Sequence, residues 1–425
     1  MNRTPVAELL SNVLGNVPVG ITAYDGSTAG PSDAVVRVRV NSPKALTYLI
    51  FSPGQLGLPR AYVSGELDIE GDLYAGIGMV FREHVGEVSL ADKINVLRNV
   101  DPKALRWVDP PPEEYNAKRP LQRLSQVRAG LTRHSKKRDA QVIGHHYDIS
   151  NRFYEMVLGP SMAYTCAAYP ELGSSLEEAQ YAKHDLVARK LGLKPGMRLL
   201  DVGCGWGGMV RHAAKHYGVQ VIGVTLSRQQ AEWGAKAIAE QGLSELAEIR
   251  HCDYRDVPET GFDAVSSIGL TEHIGVKNVP GYFRFLQSKL RPQGRILNHC
   301  ITRPRVEDGA APTAGFIDRY VFPDGELSSV ATIAGHMQSA GLEVRHEESL
   351  REHYALTLRD WCANLAAHRD EAVAEVGEAT TRVWEIYMTG SRLGFEKDAV
   401  ELHQVLGVNS VDGVSGMPVR PDWGV

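Results

Sequence analysis

The sequence predicts an α/β chain: a large domain with a doubly wound, mostly parallel sheet follows a smaller α+β domain. From Arg198 onward, four apolar runs alternate with segments of helical periodicity; the runs are RLLDVGCGWGG, VQVIGVTLS, FDAVSSIGL and GRILNHCIT. Earlier, the segment from Asp33 alternates Val with Arg and Asn, which is the period of a half-buried strand. The two patterns predict two different domains.

Proline marks the boundary between these domains. Residues 1–108 are expected to form the α+β domain, which ends near an amphipathic helix around residues 91–100. Residues 109–140 are predicted to be a linker, because Pro110, Pro111 and Pro112 disfavour helix and strand. Residues 141–425 then form the larger domain, and its segment 381–406 is predicted to consist of amphipathic helices.

Composition excludes several classes of protein. With 425 residues, of which 43% are hydrophobic and 23% charged, the chain is expected to be globular with two or three domains. A net charge of -5 argues against a nucleic-acid partner, and five scattered cysteines without a CxxC pair argue against a metal site. The sequence contains neither a secretory apolar region nor a run of about 18 uncharged apolar residues. The expected compartment is therefore the cytoplasm.

A basic stretch stands out in this acidic chain. Residues 118–138 contain no acidic residue, and their cations are Lys118, Arg119, Arg123, Arg128, Arg133, Lys136, Lys137 and Arg138. Near an anionic lipid leaflet, each such charge can contribute on the order of 1 kcal/mol to binding. The stretch indicates peripheral contact with the inner face of a membrane, with a solvated linker as the alternative.

A glycine-rich turn follows the first strand of the main sheet. Residues 201–207 (DVGCGWG) include Gly203 and Gly205, at which a ligand can approach the backbone without meeting a Cβ atom. Asp201, at the start of the turn, suits the ammonium group of S-adenosylmethionine and would repel the pyrophosphate of a dinucleotide. A plain strand-to-helix turn is the alternative.

The next two strand ends add candidate cofactor ligands. An acid that would bind ribose is missing after the second strand, where Thr225, Leu226 and Gln230 are expected to take its place. After the third strand, Asp253 offers a carboxylate to an adenine amino group, and Tyr254 offers a ring that can lie against the base. Alternatively, Asp253 caps a loop.

Several segments form an ordered set along the chain. They are HHYDISNRFYEMVLGPSMAYTCAAYP (145–170), LDVGCGWGG, GVTLSRQQ, IGLTEHIGVKNVPGYF (268–283), LRPQGRILNHCITRP and IDRYVFPDG. Together they resemble the cyclopropane-fatty-acid synthase family, which includes phospholipid cyclopropane synthases and mycolic acid methyltransferases. The likeness is strong over about residues 144–361 and looser over the first hundred residues. It implies a class I methyltransferase fold with a Rossmann-like sheet, and it suggests a homodimer.

The resemblance also implies two bound molecules, S-adenosylmethionine and a buried bicarbonate ion. The implied ligands of the ion are the backbone amides of Cys166 and Ile301 and the side chains of Glu272, His299 and Tyr354. The implied cofactor pocket consists of Tyr164, Thr165, Asp201, Gly203, Gly205, Trp206, Thr225, Leu226, Gln230, Asp253, Tyr254, Ile268 and His273. Taken singly, Glu272 reads as a helix cap, His299 as a core histidine and Tyr354 as packing.

The implied substrate is the double bond of an unsaturated acyl chain on a membrane phospholipid. An alkene is a weak nucleophile, so methyl transfer must create a carbocation, which needs a dry apolar tunnel and a nearby proton acceptor. Ring closure then yields a cyclopropane, whereas a hydride shift before deprotonation yields a 10-methylene branch, the precursor of a 10-methyl chain. A lipid-binding protein that keeps the fold without catalysis is a third alternative.

Overall fold

The chain forms two compact units. The computed structural model describes residues 4–52, 56–82, 90–99, 108–114, 134–136, 138–139, 149–306, 311–312 and 315–424. Unit 1 comprises residues 1–119, 314–323 and 369–393, and unit 2 comprises residues 120–313, 324–368 and 394–425. Residues 314–323 and 369–393, which the sequence analysis placed in the larger domain, thus group with unit 1. The predicted domain limits at residues 108 and 140 stay predictions, and most of the predicted linker lies outside the described residues.

The first third of the chain supplies a small sheet and its helices. In chain order the elements are α1 (Val6–Val13), β1 (Gly20–Ala23), β2 (Thr28–Ala29), β3 (Val36–Val40), α2 (Pro43–Phe51), α3 (Gly57–Val63), β4 (Leu67–Gly71), α4 (Leu73–Arg82) and α5 (Leu90–Asn99). The last of these is the helix expected around residues 91–100.

The remaining described elements begin at residue 151. They are α6 (Asn151–Leu158), α7 (Leu176–Leu191), β5 (Arg198–Val202), α8 (Gly208–Tyr217), β6 (Gln220–Thr225), α9 (Arg228–Glu240), β7 (Ala247–His251), β8 (Phe262–Ile268), α10 (Thr271–Ile274), α11 (Val279–Lys289), β9 (Leu290–Thr302), β10 (Ala311–Pro312), β11 (Glu326–Leu327), α12 (Val330–Ser339), β12 (Glu343–Ser349), α13 (Arg351–Ala367), α14 (Arg369–Val376), α15 (Glu378–Glu396) and β13 (Glu401–Val408). Two short turns complete them, a 3-10 helix (Tyr254–Asp256) and a π-helix (Ile317–Val321). None of the helices that the structure describes is both long and apolar enough to cross a lipid bilayer.

Unit 1 is an α+β unit, as predicted. Its sheet has the order β2-β1-β3-β4, in which β1 and β3 are parallel and the other pairs are antiparallel. β3 alternates buried Val with exposed Arg, as the period-two pattern predicts. The strand ends before Ser42, whose side chain accepts the Lys44 amide and caps α2 with Pro43 in the first turn. The apolar residues that follow therefore belong to a helix.

Polar contacts connect α15 with the elements of unit 1. Arg382 Nη2 lies 2.8 Å from Asp68 Oδ1, and the Tyr62 hydroxyl donates to Glu385 at 2.8 Å. Ile386 packs, partly buried, against the apolar core of the unit. These contacts explain why residues 369–393 group with unit 1, although they follow most of the main sheet in the sequence.

Unit 2 contains a seven-stranded sheet of order β12-β13-β9-β8-β5-β6-β7. The five strands from β9 to β7 run parallel to their neighbours, and β13 is antiparallel to both β9 and β12. Helix α7 begins with a capping box formed by Ser175 and Glu178 and ends at Gly192 in the left-handed conformation. The mostly parallel, doubly wound sheet confirms the predicted fold class.

One prediction for the C-terminal region is wrong. The sequence analysis assigned residues 381–406 to helices, but α15 ends at Glu396 and residues 401–408 form β13. All residues of this strand from Leu402 to Val408 are buried, and the strand pairs with β9 on one side and β12 on the other. A strand that is covered on both faces shows no alternation, so periodicity cannot distinguish it from a buried helix.

Candidate active site

Most of the predicted site residues of unit 2 follow the carboxyl ends of five parallel strands. β5 leads into the glycine turn at residues 201–207, β6 ends at Thr225, and β7 is followed by Asp253. β8 ends at Ile268, and residues 299–301 lie near the end of β9. Because parallel neighbours present their carboxyl ends at one edge of a sheet, these segments line the same edge.

The glycine turn forms a cradle for a ligand. Gly203, Gly205 and Gly207 all have the left-handed backbone conformation, with φ of +70°, +55° and +78°. A Cβ atom at Gly207 would lie 2.4 Å from Ile249 Cδ1, whereas a Cβ atom at Gly205 would meet no atom of the described residues within 4 Å. Protein packing thus accounts for Gly207, while the open space at Gly205 fits the close approach of a nucleoside cofactor.

A buried aspartate at the start of this turn interacts electrostatically with a buried lysine. Asp201 accepts a hydrogen bond from the Ser266 hydroxyl at 2.6 Å, and burial raises the pKa of its carboxyl group to about 7. Lys183 donates to Thr165 Oγ1 at 2.9 Å, and burial lowers the pKa of its amine to about 8. The charges of Asp201 and Lys183 act on each other against the effect of burial. Lys183 was not among the predicted site residues. The contact of Asp201 with a cofactor ammonium stays a prediction.

The predicted ribose ligands are held by local hydrogen bonds. Thr225 Oγ1 donates to Gln230 Oε1 at 2.7 Å and accepts the Ser227 amide at 3.2 Å. The Ser227 hydroxyl accepts the Gln230 amide at 3.2 Å and thereby caps α9. The carbonyl oxygen of Leu226 lies 3.0 Å from His251 Nε2. Thr225 and Gln230 are therefore fixed side by side where β6 meets α9.

The predicted adenine residues have partners within the protein. Asp253 accepts from Arg255 Nε at 2.7 Å and from the Arg255 amide at 2.9 Å, which confirms the alternative that Asp253 caps a turn. The ring of Tyr254 lies edge-on to Tyr282, with centroids 5.1 Å apart. The contact of Asp253 with adenine stays a prediction.

The predicted cofactor residues Ile268 and His273 lie at the end of β8 and in α10, and His273 is half-buried. Ile268 is buried at the end of the strand. His273 keeps a neutral ring, because burial, and to a lesser extent His134, lower the pKa of its imidazole to about 4. Its carbonyl oxygen lies 3.3 Å from His134 Nδ1. The two residues therefore contribute an apolar side chain and an uncharged ring to this edge of the sheet.

Glu272 and His299 each have one buried polar atom that lacks a hydrogen-bond partner within the described part of the chain. The atoms are Glu272 Oε2 and His299 Nε2. The other carboxylate oxygen, Glu272 Oε1, accepts the amide of Ile301 at 2.7 Å. The amide that the resemblance assigns to a bicarbonate ion therefore binds Glu272 in this structure. His299 and Ile301 are two residues apart on β9. One unmatched atom therefore belongs to a residue of this strand, and the other belongs to Glu272, which is hydrogen-bonded to it.

Burial sets the protonation of both groups. It raises the pKa of Glu272 to about 7, against the effect of the Ile301 amide. Burial, followed by the charges of Lys183 and Lys190, lowers the pKa of His299 well below its usual value. A protonated Glu272 keeps Oε1 as the acceptor for Ile301 and carries its proton on Oε2. A protonated carboxyl group and a neutral imidazole that donates from Nε2 are both suited to bind a small oxyanion.

The predicted ion ligand Cys166 has an unreactive thiol. Its side chain is fully buried and donates to the carbonyl oxygen of Ala167 at 3.1 Å. Burial raises the pKa of the thiol far above its usual value, so it stays protonated at neutral pH. Cys166 can therefore contribute its backbone amide to a site without competing as a nucleophile, and that amide contact stays a prediction.

A row of six aromatic rings runs from Trp206 in the glycine turn, past Tyr354, to Phe395. Successive ring centroids are 4.7, 5.7, 5.3, 6.0 and 4.4 Å apart along the series Trp206, Tyr154, Tyr164, Trp361, Tyr354 and Phe395. Three of these rings were predicted site residues, while Tyr154 and Trp361 were missed. Aromatic rings have electron-rich faces, which can stabilise a nearby cation.

Comparison with known proteins agrees with this geometry. Residues 134–405 match the family model described as mycolic acid cyclopropane synthetase. Probable fatty acid methyltransferases of Mycobacterium tuberculosis and Pseudomonas putida are 53% and 38% identical to the chain, covering 99% and 95% of it and the same shares of themselves.

Among solved structures, the mycolic acid cyclopropane synthase CmaA1 complexed with SAH and CTAB is 32% identical, with a TM-score of 0.60. The alignment covers 63% of this chain and 98% of that one. The resemblance predicted from the ordered segments is thereby confirmed, and so is the class I methyltransferase fold. The chain belongs to the mycolic acid cyclopropane synthetase family of S-adenosylmethionine-dependent methyltransferases.

Proposed function

We propose that this enzyme methylates the double bond of unsaturated fatty acyl chains in membrane phospholipids and closes a cyclopropane ring. In this reaction S-adenosylmethionine supplies a methyl group, and a bicarbonate ion accepts the proton that leaves. A new carbon–carbon bond forms as the carbon–sulfur bond breaks, the acyl chain becomes a cation, and ring closure accompanies loss of a proton. The lipid gains one CH2 group.

The pair of unmatched atoms on Glu272 and His299 is the observation that carries this proposal. Both are buried, and both become hydrogen-bond donors when Glu272 is protonated and His299 holds its proton on Nε2. Unpartnered donors inside a protein cost free energy, so they mark a place that an acceptor fills. Residues Glu272 and His299 would therefore hold the anion, with Tyr354 and the amide of Cys166 as the further predicted ligands.

The aromatic row supports a cationic transition state. Tyr164, Trp361 and Tyr354 lie between the glycine turn and the far end of the row at Phe395, and their ring faces can stabilise positive charge without reacting with it. The burial of Trp361 and Tyr354 also helps to keep water away from a carbocation, which water would quench.

Transfer of label to lipid tests the proposed reaction. The full chain is incubated with methyl-labelled S-adenosylmethionine and vesicles of a phospholipid with oleoyl chains; vesicles with fully saturated chains serve as the control. Label is expected in the oleoyl lipid alone, and proton NMR is expected to show upfield ring-methylene signals. Absence of label from the lipid would contradict the proposal and favour a non-catalytic lipid-binding protein.

A methylene branch is the second candidate product. The two relatives that cover nearly the whole chain are named fatty acid methyltransferases, and this name favours transfer without ring closure. Both products add the same mass, because each gains a methyl group and loses one proton. Vinylidene signals in the NMR spectrum, in place of ring-methylene signals, would therefore identify the branched product.

Removal of bicarbonate is expected to lower turnover. In the proposed reaction Glu272 and His299 hold the bicarbonate ion, and the ion accepts the leaving proton. Degassed buffer without carbonate should therefore reduce kcat by at least about tenfold. Added bicarbonate is expected to restore the rate, whereas chloride at the same ionic strength should not. A rate that is independent of bicarbonate would remove the ion from the proposal and leave methyl transfer itself untouched.

We further propose that the enzyme works at the inner face of the membrane and binds it through the basic stretch. Two of its cations are paired within unit 2: Lys136 lies 2.5 Å from Asp256, and Arg138 forms a two-pronged ion pair with Asp324. The other six cations of the stretch, Lys118, Arg119, Arg123, Arg128, Arg133 and Lys137, lie outside the described residues, and we choose Arg123, Arg128 and Arg133 for the test.

Vesicle binding tests the membrane contact. Replacing Arg123, Arg128 and Arg133 together by glutamine is expected to weaken sedimentation with phosphatidylglycerol vesicles, because each lost charge removes on the order of 1 kcal/mol of attraction. A matched variant neutralises three exposed cations elsewhere in unit 2, Lys194, Lys215 and Lys236. Equal binding by both variants and the unmodified protein would contradict the proposed contact.

A further inference from the structure

His299 belongs to a polar row that crosses three strands. Register places Glu348 of β12 opposite Gln404 of β13, and Gln404 opposite His299 of β9. Directly opposed residues on neighbouring strands project their side chains from the same face. Lys190 of α7 lies over this row, where its ammonium group donates to Gln404 Oε1 at 2.8 Å and pairs with Glu348.

The lysine determines which way the Gln404 amide points. An ammonium group has three donors and no acceptor, so the Gln404 atom that it contacts must be the oxygen. The amide nitrogen then lies 3.2 Å from His299 Nδ1. Lys190, Gln404 and His299 are each at most 1% exposed, so water does not compete for these contacts.

The Gln404 amide determines which ring nitrogen of His299 carries the proton. An amide nitrogen can only donate, so His299 Nδ1 must present its lone pair to Gln404. A neutral imidazole has one ring proton, which must then be on Nε2. Nε2 is the buried atom that has no partner among the residues that the structure describes.

We propose that Lys190 and Gln404 are positioning residues that hold His299 in its Nε2–H form, so that the histidine is a hydrogen-bond donor and not a base. With Nε2 already protonated and Nδ1 occupied by the Gln404 amide, the ring has no free lone pair for a substrate proton. The role of this donor, which is to hold an anion, rests on the proposed function. The position of the proton does not rest on it.

Exchange of Gln404 for glutamate tests the relay. In Gln404→Glu a carboxylate of nearly the same size can accept from Lys190 and also from the histidine, which draws a proton to Nδ1. Nitrogen-15 NMR of protein labelled in its histidine rings reports the form directly, and the His299 signals are identified by their loss in His299→Gln. The unmodified protein is expected to show a protonated Nε2 and an unprotonated Nδ1.

The variant is expected to show a protonated Nδ1 and a kcat lowered by about 10- to 100-fold. Its Kd for S-adenosylmethionine should stay within about twofold of the unmodified value, because the cofactor residues are untouched. Gln241→Glu, which adds the same charge at an exposed residue, is expected to change neither the ring signals nor kcat.

The spectrum of the unmodified protein decides the inference even if the variant fails to fold. A proton on Nδ1 of His299 would overturn it, whether or not the enzyme methylates lipid. Loss of activity in Gln404→Glu without any change in the ring signals would also overturn it. Conversely, a proton on Nε2 in a protein that transfers no label to lipid would support the inference and contradict the proposed function.

Discussion

Replacement of Glu272 by leucine is expected to lower kcat by about 100- to 1000-fold, as the loss of one well-placed hydrogen-bond donor at a charged centre typically does. The Kd for S-adenosylmethionine should change by less than about twofold, because Glu272 contacts the Ile301 amide and not the glycine turn. Single-turnover rates and cofactor binding by calorimetry measure the two effects separately. An equal loss of both would contradict the role assigned to Glu272.

The glutamine variant separates a donor from a base at this position. Glutamine can keep its oxygen on the Ile301 amide and place an NH2 group where a protonated Glu272 carries its proton, so Glu272→Gln should retain far more activity than Glu272→Leu. The pKa of Glu272 is raised to about 7, so its proton is held below neutral pH and lost as the pH rises through that value. The resulting fall of kcat above pH 7 is expected in the unmodified enzyme and absent from Glu272→Gln. If the glutamine variant is as inactive as the leucine variant, Glu272 acts through its negative charge.

Gly205→Ala is expected to weaken cofactor binding by at least about tenfold. The added methyl group would enter a space in which the described part of the chain has no atom within 4 Å, and there the cofactor is proposed to approach the backbone. The residue also has φ of +55°, so alanine adds about 1 to 2 kcal/mol of backbone strain. Binding of S-adenosylhomocysteine, measured by calorimetry, reports the loss.

Gly261→Ala separates these two effects. Gly261 has φ of +71°, and an added Cβ there likewise meets none of the described atoms within 4 Å. It precedes β8 at the amino end of the strand, whereas the proposed cofactor site follows the carboxyl ends. It should lower the melting temperature as much as Gly205→Ala does and leave cofactor affinity unchanged. If both variants bind the cofactor equally well, the open space at Gly205 does not receive it.

Local patterns were sufficient to predict the sheet and the cofactor edge. The alternation of strand and helix from Arg198 predicted β5, β6, β8 and β9, because each of these elements carries its signal within a few residues. The glycine turn was recognisable for the same reason, since its conformation depends on its own residues.

The surroundings of the candidate site residues could not be predicted in this way. Tyr154 and Trp361 look like ordinary core residues in the sequence, and they became candidates only when the structure placed their rings beside Tyr164. In the sequence Lys183 looks like any polar residue of a helix, yet in the structure it is fully buried and interacts with Asp201. Burial of a charged group depends on everything that packs around it, and no local pattern records that environment.

The sequence by itself determined the family, the parallel sheet and the positions of Glu272 and His299 within an ordered set of segments. Only the tertiary structure decided that Ile301 gives its amide to Glu272, that residues 401–408 are a strand, and that Gln404 lies against His299. These contacts join residues that are far apart in the chain but are brought together by the packing of strands and helices. The protonation of Glu272 and His299 follows from the exclusion of water. Both effects arise only when the chain is folded.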